Sequence, residues 1–83
     1  MANSQSLTLY SRHGCHLCEE MAAGLARLTK ELGLELVVQD VDSDPELAAR
    51  FDDLVPVLMH GDREVARYRL DPRAVRAYLA QIR

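Results

Sequence analysis

Short apolar runs bounded by polar residues and glycine are the first feature of the sequence. They are three to six residues long and rich in Leu and Val, which is typical of β-strands. The four runs are 7–10, 35–40, 57–59 and 64–68. The run 35–40 is apolar at its centre, so we expect it to be a buried parallel strand. The segment 60–62 (His-Gly-Asp) separates the last two runs and predicts a tight hairpin turn.

Between these runs, apolar residues recur three or four positions apart, as in amphipathic helices. The first such segment begins at Leu17 and ends at Gly33, a residue that readily adopts positive φ. Its apolar stripe is Leu17, Met21, Leu25, Leu28 and Leu32. The segment 43–46 (Ser-Asp-Pro-Glu) has the form of a capping box, so we expect Ser43 to begin a short helix that runs through Phe51. Asp52 and Asp53 should end it.

A last helix is predicted to begin at Asp71 and Pro72, an N-cap residue followed by a proline in the first turn. Its apolar residues are Val75, Tyr78, Leu79 and Ile82. The predicted order is therefore β-α-β-α-β-β-α, in which the first two strands are joined by a right-handed crossover and the last two form a hairpin. This order predicts an α/β fold of the thioredoxin-like type. Residues 1–83 would form one domain with a four-stranded mixed sheet and helices on both faces.

Composition and charge limit the classes of function. A net charge of −3 gives no reason to expect a nucleic acid or an anionic membrane as a partner. The first six residues have neither the basic nor the apolar part of a signal peptide, and no segment has the length and apolarity of a membrane span. We therefore expect a cytoplasmic protein that acts as a monomer.

The two cysteines, Cys15 and Cys18, are spaced as C-x-x-C between the first predicted strand and the long helix. In a cytosolic protein this spacing is typical of catalytic or metal-binding cysteines. Cys15 would lie at a helix N-terminus, where unpaired N–H groups and the helix dipole favour a thiolate. Arg12, His13 and His16 add cationic groups, so we expect the pKa of Cys15 to lie below about 7.5, whereas an ordinary cysteine has a pKa of about 8.5. These residues predict thiol–disulfide exchange, in which Cys15 attacks and the more buried Cys18 resolves the mixed disulfide.

Two other functions could use the same residues. Both cysteines and both neighbouring histidines could supply metal ligands, but the chain has no second pair of ligands, so we predict no metal site. A metal or iron–sulfur carrier stays open as an alternative, and so does a thioredoxin-like binding module whose cysteines are redox-inactive. The acidic residues between positions 40 and 53 lack the spacing of a calcium loop, so we interpret them as caps and surface.

Two further segments are candidates for substrate binding. Val55 precedes Pro56 just before a predicted strand, and in a thioredoxin-like fold that proline is cis and lies against the cysteine loop. The backbone of Val55 could then pair with an extended substrate. Arg67 and Arg69 alternate along the last predicted strand, so they share one face. That face is either solvated or an anion site beside the cysteines.

The chain resembles the glutaredoxin family over nearly its whole length. The resemblance rests on residues 7–18, on Val55 and Pro56, and on the terminal hairpin and helix. It implies that Cys15 is the nucleophile, that Arg12 contacts a carboxylate of glutathione and that Val55 pairs with the glutathione backbone. It also implies glutathione as a co-substrate, no tightly bound cofactor, and protein or small disulfides and thiols as partners. The candidate substrate-binding residues are Arg12, His16, Val55, Pro56, Arg67 and Arg69.

The chain departs from the family pattern at positions that would bind the substrate and at a position that could accept the proton of Cys18. His16 and Leu17 stand where the family has proline and tyrosine. The segment 66–69 (Ala-Arg-Tyr-Arg) stands where the family has two glycines and then an aspartate that meets the ammonium group of glutathione. Arg69 reverses that charge, so we expect it to repel the ammonium and to favour an anionic group. Leu9 stands where thioredoxins have a buried aspartate, so the proton of Cys18 needs another base or water.

Overall fold

The computed structural model describes residues 6–51 and 54–82. Within these residues, four strands and three helices follow one another in the predicted order. They are β1 (Ser6–Ser11), α1 (His16–Leu32), β2 (Glu35–Asp40), α2 (Pro45–Phe51), β3 (Val57–His60), β4 (Arg63–Arg67) and α3 (Pro72–Ile82), with a 3₁₀ turn at Val41–Ser43 before α2. None of these helices is long and apolar enough to cross a membrane.

The sheet has the strand order β2-β1-β3-β4. β1 and β2 are parallel, with Leu7 opposite Leu36, because the crossover through α1 lets the second strand run in the same direction. β3 runs antiparallel to both β1 and β4. The hairpin between β3 and β4 turns at Gly61, whose φ of 62° is in the left-handed region. The sheet is therefore mixed, as predicted.

Each face of the sheet has its own core, because successive side chains of a strand point to opposite faces. On the face covered by α1 and α3, the buried residues are Leu7, Leu9, Met21, Leu25, Leu28, Leu58, Val75 and Leu79. On the face covered by the 3₁₀ turn and α2, they are Val41, Phe51, Val57 and Met59. Tyr10 stacks on Phe51 there, with ring centroids 4.4 Å apart. Helices therefore lie on both faces, as predicted.

The two ends of α1 are determined by residues that the sequence identifies. Cys15 is the N-cap, and its sulfur accepts a hydrogen bond from the N–H of Cys18. Gly33 ends the helix with a φ of 70°. Between these ends, Met21, Leu25 and Leu28 of the apolar stripe are buried, and Leu32 is partly buried. Leu17 is 40% exposed, although it was predicted as the first residue of the stripe.

β2 is an edge strand, which corrects the prediction that it is buried. Leu36 packs against the core, but Val37 and Val38 are 37% and 53% exposed. The strand order explains the difference, because β2 has a sheet neighbour only on the β1 side. An apolar run predicts a strand but does not reveal its position in the sheet.

The N-cap of α2 is Asp44, not Ser43 as predicted. The Oδ1 atom of Asp44 accepts the N–H of Glu46 at 2.9 Å. Ser43 instead donates through Oγ to the carbonyl of Asp40 at 2.6 Å. Aspartate and serine are comparable N-cap residues, so the adjacent pair left the start of the helix ambiguous by one position. Asp52, Asp53 and the side chain of Ile82, which the prediction also named, lie outside the described residues.

β4 ends at Arg67, because Tyr68 adopts a left-handed conformation with a φ of 68°. This conformation costs a residue other than glycine about 1–2 kcal/mol. Two hydrogen bonds of 2.8 Å hold the turn, from the N–H of Tyr68 to the carbonyl of Pro56 and from the N–H of Arg69 to the carbonyl of Arg67. Arg69 therefore lies beyond the strand. The prediction that Arg67 and Arg69 alternate along one strand is wrong.

We predict that Gly24→Ala changes the free energy of unfolding differently in the parent protein and in the Leu70→Ala variant. Gly24 lies inside α1, where alanine is favoured over glycine by about 1 kcal/mol. A Cβ atom there would lie 2.6 Å from Cδ2 of Leu70, in the loop that follows β4. The stabilisation should therefore be lost in the parent protein and recovered in Leu70→Ala. Urea unfolding of the four proteins measures this coupling, and an equal effect in both backgrounds would contradict it.

Candidate active site

The two cysteines lie at the first turn of α1. Their Cα atoms are 5.2 Å apart and their sulfurs are in disulfide contact. Cys15 is half-buried, whereas Cys18 is only 3% exposed. A substrate therefore reaches the sulfur of Cys15 first, while Cys18 lies behind it in the protein interior.

The backbone around Cys15 places one hydrogen-bond donor at its sulfur. Gly14 has a φ of 78° and brings the chain into the turn, which the N–H of Cys15 closes by donating to the carbonyl of Arg12 at 3.2 Å. The N–H of Cys18 then donates to Sγ of Cys15 at 3.1 Å. In the dithiol form, this N–H and the N-terminal end of the α1 dipole would stabilise a thiolate on Cys15.

The three arginines predicted around the site differ in their partners. Nε of Arg12 donates to Oδ2 of Asp42 at 3.1 Å, and Asp42 lies in the 3₁₀ turn that follows β2. Arg67 donates to Oε1 of Glu64 at 2.6 Å, and this hydrogen bond raises the pKa of Arg67. Within residues 6–51 and 54–82, no side chain pairs with the guanidinium of Arg69. Intramolecular ion pairs therefore partly neutralise the charges of Arg12 and Arg67.

His16 lies at the start of α1 and faces two carboxylates of the same helix. Its ring nitrogens are 4.0 Å from Glu19 and 3.7 Å from Glu20. The side chain is 85% exposed. The positive charge of a protonated His16 is therefore countered locally, which reduces its effect on the potential at Cys15.

The Val55–Pro56 peptide bond is cis. Pro56 is buried, and Val55 packs against the core beneath α2. Because the carbonyl of Pro56 accepts the N–H of Tyr68, this segment is connected to the loop that carries Arg69. Arg12 and Cys15 instead lie in the loop between β1 and α1, and Cys18 lies in the first turn of α1.

Two open grooves flank the cysteine turn. The first, of about 310 Å³, lies towards β2, and its lining includes residues 11–14, Cys18 and Val38. The second, of about 340 Å³, is lined by Leu17, Glu20, Met21, Tyr68, Arg69 and Leu70. Leu17 and Tyr68 were not predicted as site residues. The signal for Leu17 was its place inside the C-x-x-C sequence, whereas no sequence signal distinguished Tyr68 from an ordinary strand residue.

The metal alternative needs a third ligand besides the two thiols. Among the residues described, no three side chains of the types His, Cys, Asp and Glu are grouped as a metal site.

Comparisons with known proteins agree with this geometry. Residues 6–80 match the family described as Glutaredoxin-like domain (DUF836). An uncharacterised protein of Mycobacterium tuberculosis is 36% identical over 78 residues, which cover 88% of this chain and 80% of that protein. The solution NMR structure of a Nitrosomonas europaea protein has a TM-score of 0.76 and 40% identity, covering 94% of both chains. Thioredoxin 1 from Thermosipho africanus has a TM-score of 0.66 at 17% identity, covering 93% of this chain and 97% of its own, which confirms the predicted thioredoxin-like fold.

We predict that Asp42→Asn lowers the pKa of Cys15, because it removes a carboxylate that pairs with Arg12, three residues before the thiol. The side chains of Arg12 and Asp42 are 31% and 52% exposed, so solvent limits the decrease to less than about one pH unit. The measurement is the pH dependence of Cys15 alkylation in a Cys18→Ser background. Asp62→Asn, in the hairpin turn, is the matched control. An unchanged or higher midpoint in Asp42→Asn would rule out this effect.

Proposed function

Because the chain belongs to the family of the glutaredoxin-like domain, we propose that it is a thiol–disulfide oxidoreductase with Cys15 as nucleophile and Cys18 as resolving thiol. One observation carries the proposal: the N–H of Cys18 lies 3.1 Å from Sγ of Cys15 at the N-terminus of α1. This donor stabilises negative charge on the attacking sulfur. It does the same when Cys15 leaves as a thiolate.

The exchange takes place in two steps. The Cys15 thiolate attacks one sulfur of the substrate disulfide, a mixed disulfide forms, and the other substrate sulfur leaves as a thiolate. Cys18 then loses its proton and attacks Sγ of Cys15, which forms the Cys15–Cys18 disulfide and releases the second substrate thiol. The protein loses two electrons and the substrate gains them. An external thiol reductant reverses the change at Cys15 and Cys18.

The proton of Cys18 goes to water or to the departing substrate thiolate. Leu9 is completely buried in β1, so this position supplies no carboxylate base. Cys18 itself is almost fully buried, which disfavours its thiolate until the mixed disulfide has formed. The difference in burial between the two cysteines thus supports the order of the two steps.

We propose protein disulfides or small disulfides as substrates, a monomer as the acting form, and no tightly bound cofactor. Glutathione is proposed as a weakly bound co-substrate. Asp42 competes with a glutathione carboxylate for Arg12, and Arg69 repels the ammonium group. His16, Val55, Pro56 and Arg67 complete the proposed substrate-binding set.

We predict that the reduced, metal-stripped protein has one rapidly alkylated thiol. Its midpoint should lie below about 7.5, against about 8.5 for free cysteine, because the helix N-terminus stabilises the thiolate. Cys15→Ser should remove the fast reaction and Cys18→Ser should keep it. A midpoint near that of free cysteine would mean that the site does not activate Cys15. The metal-carrier or binding-module function would then be favoured.

We predict that Cys18→Ser accumulates a mixed disulfide with bis(2-hydroxyethyl) disulfide, because its resolving thiol is missing. The parent protein should instead end as the intramolecular disulfide without a stable adduct. Mass spectrometry of acid-quenched samples distinguishes these products. If Cys15→Ser accumulated the adduct and Cys18→Ser did not, Cys18 would be the nucleophile and the proposed roles would be reversed.

A further inference from the structure

The groove lined by Leu17, Glu20, Met21, Tyr68, Arg69 and Leu70 has a pattern of charge and apolar surface that the exchange chemistry itself does not require. We infer that this groove binds the residues flanking the cysteine of a protein substrate. An apolar side chain of the substrate packs on Leu17 and Tyr68, and a carboxylate pairs with Arg69. This inference rests on the proposed function, because it concerns the substrate of the same cysteines.

The groove adjoins the turn that carries the two cysteines, through Leu17. Leu17 lies between Cys15 and Cys18 in the turn that opens α1, and it forms one wall. The opposite wall begins at Tyr68, whose N–H donates to the carbonyl of Pro56. A volume of about 340 Å³ is at the lower end of the range for small-ligand sites, so the groove suits a few residues of an extended chain. A polypeptide whose cysteine reaches Cys15 would lay neighbouring residues along it.

The positive charge of this groove comes from Arg69. Arg12 and Arg67 have carboxylate partners in Asp42 and Glu64, whereas Arg69 has no side-chain partner in the part of the chain that the structure describes. Glu20 also lines the groove, but it lies 3.7 Å from the ring of His16, which offsets its charge when protonated. An acidic side chain on the substrate is therefore the complement of Arg69.

The apolar part of the groove is exposed to solvent. Leu17 and Tyr68 are 40% and 41% exposed, and they stand over the buried Met21. Tyr68 also has a φ of 68°, which is rare for a bulky residue and is found where the surrounding structure holds it. The left-handed turn at Tyr68 takes Arg69 out of the line of β4 and into the lining of the groove. One backbone feature thus places both the apolar and the cationic contact.

The test compares peptides that differ only in charge. Each peptide carries one cysteine as its neutral 2-thiopyridyl disulfide, with Leu and either Glu or Lys on both sides of the cysteine. The rate of thiopyridone release by the Cys18→Ser protein is divided by its rate with the 2-thiopyridyl disulfide of mercaptoethanol. We expect the Glu peptide to react about 3- to 10-fold faster than the Lys peptide at low ionic strength. The ratio should approach one at 1 M salt, where the Debye length is about 3 Å.

Two variants assign the preference to the groove. Arg69→Glu should reverse it, so that the Lys peptide becomes the faster one. Arg27→Glu makes the same charge change on the exposed surface of α1 outside the groove, and it should keep the preference of the parent. Leu17→Ala should slow both peptides about 2- to 5-fold relative to the mercaptoethanol disulfide, because it removes only apolar contact.

The outcomes separate this inference from the function on which it rests. A preference for the Glu peptide that survives Arg69→Glu overturns the docking inference, while rapid reaction with the small disulfide leaves the exchange function intact. An effect of Arg69→Glu on the glutathione mixed disulfide alone also overturns it, because the groove then serves a small thiol. If Cys15 reacts with none of the disulfides, the proposed function fails and the docking inference fails with it.

Discussion

The hydrogen bond from the N–H of Cys18 to Sγ of Cys15 is the interaction on which the site depends. It forms only because Cys15 is the N-cap of α1, with an extended backbone that turns at Gly14. The helix must begin there and not one residue later, since the same turn also buries Cys18. The core beneath α1 therefore has a chemical role as well as a structural one, because it holds the two sulfurs at different depths.

The charges around this turn come from distant parts of the chain. Arg12 pairs with Asp42 thirty residues later, and Glu64 occupies Arg67 within the hairpin. A count of cationic residues near the cysteines overstates the positive potential that a substrate meets. Of the three arginines, Arg69 contributes its charge most directly to the surface, and it lies beside the apolar groove.

Local patterns were enough to predict the order of elements, the two ends of α1 and the cysteine pair. Gly33 ends α1, and the C-x-x-C spacing brings the two cysteines together. Both effects involve only neighbouring residues, so both can be predicted from the sequence. The exposure of Val38 depends on the place of β2 in the sheet, which no local pattern records. The position of Arg69 depends on the left-handed turn at Tyr68, a conformation that a strand-like sequence gives no reason to expect. The errors in the predicted burial of β2 and in the predicted position of Arg69 therefore come from non-local strand pairing and from one unusual dihedral angle.

The close approach of Gly24 to Leu70 couples the interior of the protein to its choice of partner. Leu70 is adjacent to Arg69 in the chain, and it packs against a position of α1 that has no side chain. A larger residue at position 24 must displace the side chain of Leu70, which lines the groove beside Arg69, and so it changes the shape of the groove. Substrate preference can therefore diverge between related proteins through a substitution inside α1, with every residue that touches the substrate unchanged.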